Sequence, residues 1–302
     1  MKNMTTNKFQ LSLIALMFVL GTAPTFAQNA SVGQSGNNTV KTDSRILYHN
    51  GPVRTGGQNV YFIFYGCWTS PCANLDDSTA INILEEFSAT VGNSPYLGIN
   101  STYTDRIGNA ASHSLVYAGQ VFDSSYAHGS ELTKSDIEAI ISDQFLGFGL
   151  PADPQGIYVV VASADISSTA TGFCVPGAPP FHSSAIIVGG LETYIFLGHP
   201  NRCPAIAGPQ FGNQPTPNAN FAADALVTNF AHAVNGLLTN PYGTGWYDRN
   251  GLENADKCTG NFGTTYTTPN GARANVHLGG QRDYLLETNW INNRKGSCVL
   301  LP

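Results

Sequence analysis

The sequence predicts an α+β protein in which a mixed β-sheet is packed with helices. Three observations carry this. Segments 59–65 and 156–164 are apolar on both faces, as strands covered on both sides must be. Segments near 77–91, 133–147 and 224–240 repeat apolar residues at helical spacing. Strands and helices also alternate along the chain, the order expected when helices pack on a sheet.

In chain order, Tyr48-His49-Asn50-Gly51-Pro52 punctuates a turn ahead of the strand 59–65. Residues 67–77 form a loop, after which Asp77 or Ser78 caps a helix through about Val91, with Ile81, Leu84, Phe87 and Val91 on one side. Segments 99–104 and 114–122 read as strands. Thr133 and Asp136 open a second helix, Ile137, Ile140, Ile141 and Phe145 face inward, and Gly147 ends it. The strand 156–164 follows, then 184–188 and 193–197, with Gly189-Gly190 as a hairpin turn. Residues 200–220 hold five prolines and little periodicity; loops that long inside a domain are functional or tied down, and Cys203 supplies a tie. A third helix starts near Asp224, carries Leu226, Phe230, Ala233 and Leu237 at helical spacing, and is stopped near Asn240 by Pro241. Beyond Cys258 the chain is rich in Gly, Thr and Asn, with one apolar cluster at Tyr284-Leu285-Leu286, which predicts a loop-rich cap held by Cys298.

Lys2 and Lys8 precede an apolar run over 11–20, and small residues continue to Ala27. These are the parts of a secretory signal peptide, predicted to span 1–27. A lead-in over 28–42, rich in Asn, Gly, Ser and Gln, then precedes a single domain over 43–302. No later stretch approaches the roughly 20 apolar residues of a membrane span, so the expectation is a secreted, extracellular protein without membrane insertion. Two of the 14 basic residues and none of the 20 acidic ones fall before the cut, so the mature net charge is 12 − 20 = −8. With no Lys/Arg run, the chain offers no electrostatic footprint for nucleic acid. All six cysteines remain after cleavage. In an exported chain an even number predicts disulfides, with Cys67–Cys72, Cys174–Cys203 and Cys258–Cys298 the expected pairs.

Chemistry concentrates around the third helix and the loop after it, where five of the ten residues 248–257 are charged. Ala225, Asn229, His232 and Gly236 form one stripe on the helix. A zinc-protease helix needs a second ligand one turn after its first His and a general-base Glu directly after it; here those positions hold Gly236 and Ala233. His232 therefore reads first as a hydrogen-bonded histidine at a helix–sheet contact and second as a metal ligand. His182 is another lone imidazole. Asp248, Glu253 and Asp256 place carboxylates around Gly251, an arrangement that hard cations use. Calcium or zinc on His232, Asp248, Glu253 and Asp256 is the metal alternative, and a solvated loop is the plainer one. Trp68, Tyr242, Trp246 and Tyr247 are candidates for an aromatic platform that would bind glycan, together with His182 as a binding residue, although buried aromatics are the commoner fate. No nucleophile elbow or phosphate-binding glycine loop is present.

With these residues in view, the chain resembles the EXORDIUM, or phosphate-induced protein, family, known best from plant cell walls and with bacterial relatives; it looks like a bacterial-type member. The likeness runs from Tyr48-His49-Asn50-Gly51-Pro52 and Tyr65-Gly66 through Cys174, Pro180-Phe181-His182 and Gly208-Pro209-Gln210. It is densest over Asp224, Asn229, Ala231, Gly236 and Thr239-Asn240-Pro241, and closes with Cys258-Thr259-Gly260, Asn275, Gly279, Arg282, Tyr284-Leu285-Leu286, Trp290 and Cys298. Plant members likewise lack Glu at the position of 233 and carry glycine at that of 236. The resemblance implies an extracellular protein linked to growth and cell expansion, with cell-wall polysaccharide or a surface protein as partner.

A more distant likeness is to secreted zincin-type proteins whose helix reads His-Glu-x-x-Glu and then Thr-Asp-Pro. His232, Thr239 and Pro241 match; Ala233, Gly236 and Asn240 depart. This implies a zincin-like scaffold that has lost its catalytic base. The expectation is a non-catalytic protein, with a metal-dependent hydrolase and a glycan-binding module as alternatives.

Overall fold

Five strands build the central sheet of the computed structural model: β1 (Gln58–Tyr65), β2 (Leu115–Asp123), β3 (Gly156–Ala162), β4 (Phe181–Ile187) and β5 (Gly190–Leu197). The structure describes residues 45–69, 75–206, 208, 214–279 and 281–302. The expected signal peptide, the lead-in and Cys72 lie outside them, as do Pro209 and Gln210. The spatial order is β2-β1-β3-β5-β4, and only β4 runs antiparallel to its neighbour. Helices α1 (Leu75–Val91), α2 (Lys134–Leu146) and α3 (Phe221–Thr239) cover it.

The pleat of β1 sends Val60, Phe62 and Phe64 to one face and Tyr61, Ile63 and Tyr65 to the other. The first set packs with Leu84 and Phe87 of α1 and Phe230 and Leu237 of α3. The second packs with Ile137, Ile140 and Ile141 of α2. Handedness accounts for the split. The crossovers β1 to β2 and β2 to β3 travel in opposite directions along the sheet, so right-handed connections place their helices on opposite faces. Rings lock the first core: Phe62 meets Phe230 edge-on at 5.7 Å, and Phe87 meets Tyr284 of the C-terminal region at 5.0 Å. Each such buried side chain contributes about 1.5–3 kcal/mol.

From Ala222 to Thr239 every residue of α3 except Asn229 is buried. The helix runs between sheet and C-terminal region, which is why it is apolar almost all round. Its cap is the side chain of Asn220, which accepts from the Ala223 amide, so it begins earlier than the periodicity indicates.

Other boundaries also differ from the sequence expectation. Segment 99–104 is not a strand: Ser94 caps a helical turn over Pro95–Gly98 that continues as a 3₁₀ turn over Ile99–Thr102, and Pro95 presets that turn. Helix α1 starts at Leu75, so Asp77 lies inside it. His182 falls within β4, and the hairpin turns on Val188-Gly189, both with positive φ, leaving Gly190 in β5.

The C-terminal region is a loop-rich cap of short antiparallel ribbons: Tyr266–Thr267 with Arg273–Ala274, Val276–His277 with Asp283–Tyr284, and Asn289–Ile291 with Ser297–Val299. Cys258–Cys298 ties it to the loop after α3, and Cys174–Cys203 ties the proline-rich segment, both as expected. Among the described residues no helix is long and apolar enough to cross a membrane.

Candidate functional site

Each member of the α3 stripe meets a different part of the chain. Ala225 packs beneath Gly208, where an added Cβ would lie 2.9 Å from the Ala225 methyl. Further along, His232 is held from both sides: Nδ1 lies 2.7 Å from Glu287 Oε2 and Nε2 lies 3.0 Å from Asp256 Oδ1. Its side chain is only 3% exposed. Burial works against a charge on this ring, but the hydrogen bonds to Asp256 and Glu287 and the negative charge of both outweigh it and raise the pKa to about 9. Both ring nitrogens are engaged by carboxylates, so a metal ion would have to displace a proton and one of these partners to bind the ring. Burial likewise opposes ionisation of Asp256, yet the bond to charged His232 holds its pKa below the usual carboxylate value.

Gly236 is where a zinc-binding helix carries its second ligand. A Cβ there would lie 2.2 Å from Glu253 Oε2 and 2.8 Å from His182 Nε2. That space holds a hydrogen-bonded pair: His182 Nε2 of β4 lies 2.7 Å from Glu253 Oε2. Burial lowers the pKa of His182, and the charge and hydrogen bond of Glu253 more than restore it, so the net shift is upward. Asn240, at the C-terminal end of α3, donates to the other Glu253 oxygen at 2.6 Å and accepts the Gly245 amide at 2.6 Å. The Asn at 240 thus positions the carboxylate that Gly236 admits. Ala233 is fully buried in the core with α1 and the sheet, so no side chain stands at the base position.

A hydrogen-bonded asparagine network backs the ion cluster. Asn100 donates to Asn235 at 2.7 Å and accepts from Asn254 at 2.9 Å and Asn289 at 3.1 Å. All four are completely buried. Asn235 also donates to Tyr96 Oη, which donates to the Glu287 carbonyl at 3.1 Å. Buried networks that are satisfied in this way fix one arrangement of the surrounding segments. Glu287 and these asparagines escaped sequence reasoning because each stands alone in its local stretch and acquires a partner only through long-range packing. The only hint was the position of Glu287 directly after the apolar cluster 284–286.

Of the four expected metal ligands, His232 and Asp256 meet, and Glu253 is joined to them by its amide, which donates to Asp256 Oδ2 at 2.9 Å. Asp248 has other partners. One of its oxygens accepts the amides of Asn250 and Leu252, and the other lies 3.3 Å from Lys257 Nζ, so its counter-charge is an ammonium stacked 4.7 Å over Trp290. Among the described residues no group of three or more His, Cys, Asp or Glu side chains is arranged to hold a metal ion.

The aromatic candidates separate too. Trp68 is buried and donates to the Val161 carbonyl; Trp246 donates to Thr104 and packs against Ile46, Val53 and Tyr103. Both are pillars of the fold. Tyr242 is half-buried. Tyr247 stacks on exposed His49 with centroids 3.6 Å apart, outside the His182–His232 cluster.

The family model described as the phosphate-induced protein 1 conserved region matches residues 46–300. The chain is 27% identical to Protein EXORDIUM-like 5 of Arabidopsis thaliana over 279 residues, covering 83% of this chain and 76% of the relative. It is 29% identical to Protein EXORDIUM-like 3 of the same plant, covering 82% and 80%. To Protein PHOSPHATE-INDUCED 1 of Nicotiana tabacum it is 26% identical, covering 80% and 83%. No solved structure matches.

Proposed function

This chain belongs to the phosphate-induced protein 1 family, and from that premise we propose that it is a secreted, non-catalytic protein that binds at the cell wall or cell surface on a degenerate zincin-like scaffold. The observation that carries this reading is the saturation of His232 by Glu287 and Asp256. A zincin-type reaction needs an imidazole with a free lone pair, a second ligand one turn on and a carboxylate base beside the first. Here both ring nitrogens face carboxylates, the second position is filled by the Glu253–His182 pair, and the base position is an alanine in the core. The mixed sheet with α3 packed on it, and β4 bringing His182 to that helix, agrees with a zincin-like ancestry. Two disulfides suit an oxidising, extracellular setting, and a growth-related role is what the EXORDIUM likeness favours.

The test is turnover. Mature protein supplied with zinc and a fluorogenic peptide mixture is expected to show no hydrolysis above buffer. Hydrolysis that disappears on chelation and in His232→Ala would show the metal-dependent hydrolase instead.

A further inference from the structure

The chain leaves β5 at Gly198-His199 and at once makes a 3₁₀ turn over Pro200–Arg202. His199 caps that turn: its Nδ1 accepts the Asn201 amide at 3.3 Å. A ring nitrogen that accepts carries no proton, so the capping ring is neutral with its proton on Nε2. Nε2 lies 3.4 Å from Asp77 Oδ1 of α1. The ring is only 1% exposed and rests against Trp68, with centroids 5.3 Å apart. A second proton has one place to go, Nδ1, and there it would meet the Asn201 N–H, donor against donor. The cap and the charged ring therefore exclude each other.

Among the described residues, the ionised groups acting on this ring are Asp77 of α1 and Asp165 from the loop after β3. Arg202, on the turn itself, donates to the Ala164 carbonyl at 3.3 Å. Helix α3 packs on the same turn, but its Asp224 is held by Asn218 and its His232 by Asp256 and Glu287. Burial opposes a charge on His199 and outweighs the pull of Asp77 and Asp165, so its pKa lies below the ordinary histidine value. The turn also belongs to a wall. Gly198 before it and Ile206 after it line a cavity beside the Cys174–Cys203 disulfide, together with Phe173 and Cys174.

We propose that His199 is an acid-sensitive latch on this wall: the neutral ring caps the turn 200–202 and holds the wall in place, and a second proton releases it. Opening lets the ring reach water and take up that proton at the ordinary histidine value. The capped form is therefore at full strength above about pH 6.5 and weakens about tenfold per unit as pH falls from there toward the folded-state value. The latch does not depend on what the protein binds.

The experiment is hydrogen exchange of the mature protein, read as protection factors. Between about pH 7.5 and about pH 5, protection over 198–206 is expected to fall roughly 10-fold, while β1 and β3 keep theirs. His199→Asn retains an N-cap acceptor and cannot titrate, so it should protect the segment equally at both pH values. In the unsubstituted protein, the His199 ring signal followed by NMR should titrate below about pH 6.5, over the range in which protection is lost. Protection that ignores pH, an equal loss in His199→Asn, or a ring that titrates outside that range overturns the proposal.

Discussion

Glu253 Oε2 sits 2.7 Å from His182 Nε2, in the space that a side chain at Gly236 would occupy. The helix therefore contributes to this pair by having no Cβ. Gly236→Ala sets two effects against each other: alanine favours the helix by about 1 kcal/mol, while overpacking in a tight site costs about 1–3 kcal/mol. The carboxylate is fixed by Asn240 as well as His182 and has little room to yield. The expected outcome is net destabilisation by about 1–2 kcal/mol in urea unfolding. A more stable variant would show that Glu253 moves freely.

Removing the ring between two carboxylates should cost more. His232→Ala leaves Asp256 and Glu287 facing each other without their shared cation, and breaking a buried ionic group in this way costs about 3–5 kcal/mol. Glu287→Gln keeps a hydrogen-bond acceptor and should cost less. Denaturant midpoints of the two variants check the order.

Stability should fall on the alkaline side. The His232 pKa is raised from 6.5 to about 9 in the folded chain, so its contribution is complete below about pH 6.5 and is lost as pH rises through about 9. The span corresponds to at most about 3 kcal/mol. The Asp256 pKa is lowered, so its share is present above its unfolded value near 3.8 and is lost as pH falls through the folded one. Unfolding free energies measured from pH 6 to 10 should decline, and the decline should shrink in the His232→Ala variant.

The cap depends on its covalent tie. Cys258 and Cys298 are 40 residues apart, and releasing a loop of that length costs about 4 kcal/mol by the chain-entropy account. Because Asp256 lies two residues from Cys258, a double Cys→Ser variant should also loosen the His232 contact. Hydrogen exchange is expected to rise over 248–262 while β1 and β3 stay protected.

Much of the fold was legible because it is written locally. The strands 59–65 and 156–164 declare themselves by unbroken apolar runs, and the capping box of Thr133 and Asp136 marks the start of α2. Segment 99–104 misled because Ile99 and Tyr103 look strand-like, whereas Ser94-Pro95 starts a helical turn that carries both inward. At the site, the stripe of His232 and Gly236 and the acidic loop were visible as separate pieces. Their union was not. Glu287 reaches His232 from 55 positions away and Glu253 reaches His182 from 71, and no periodicity encodes a contact made only when α3, β4 and the cap are packed together.

The most direct measurement of the central claim is the zinc and calcium content of the mature protein purified without chelator. With both nitrogens of His232 bonded to carboxylates, the account predicts no stoichiometric metal. About one zinc per chain, absent from His232→Ala, would contradict it and return this site to metal chemistry.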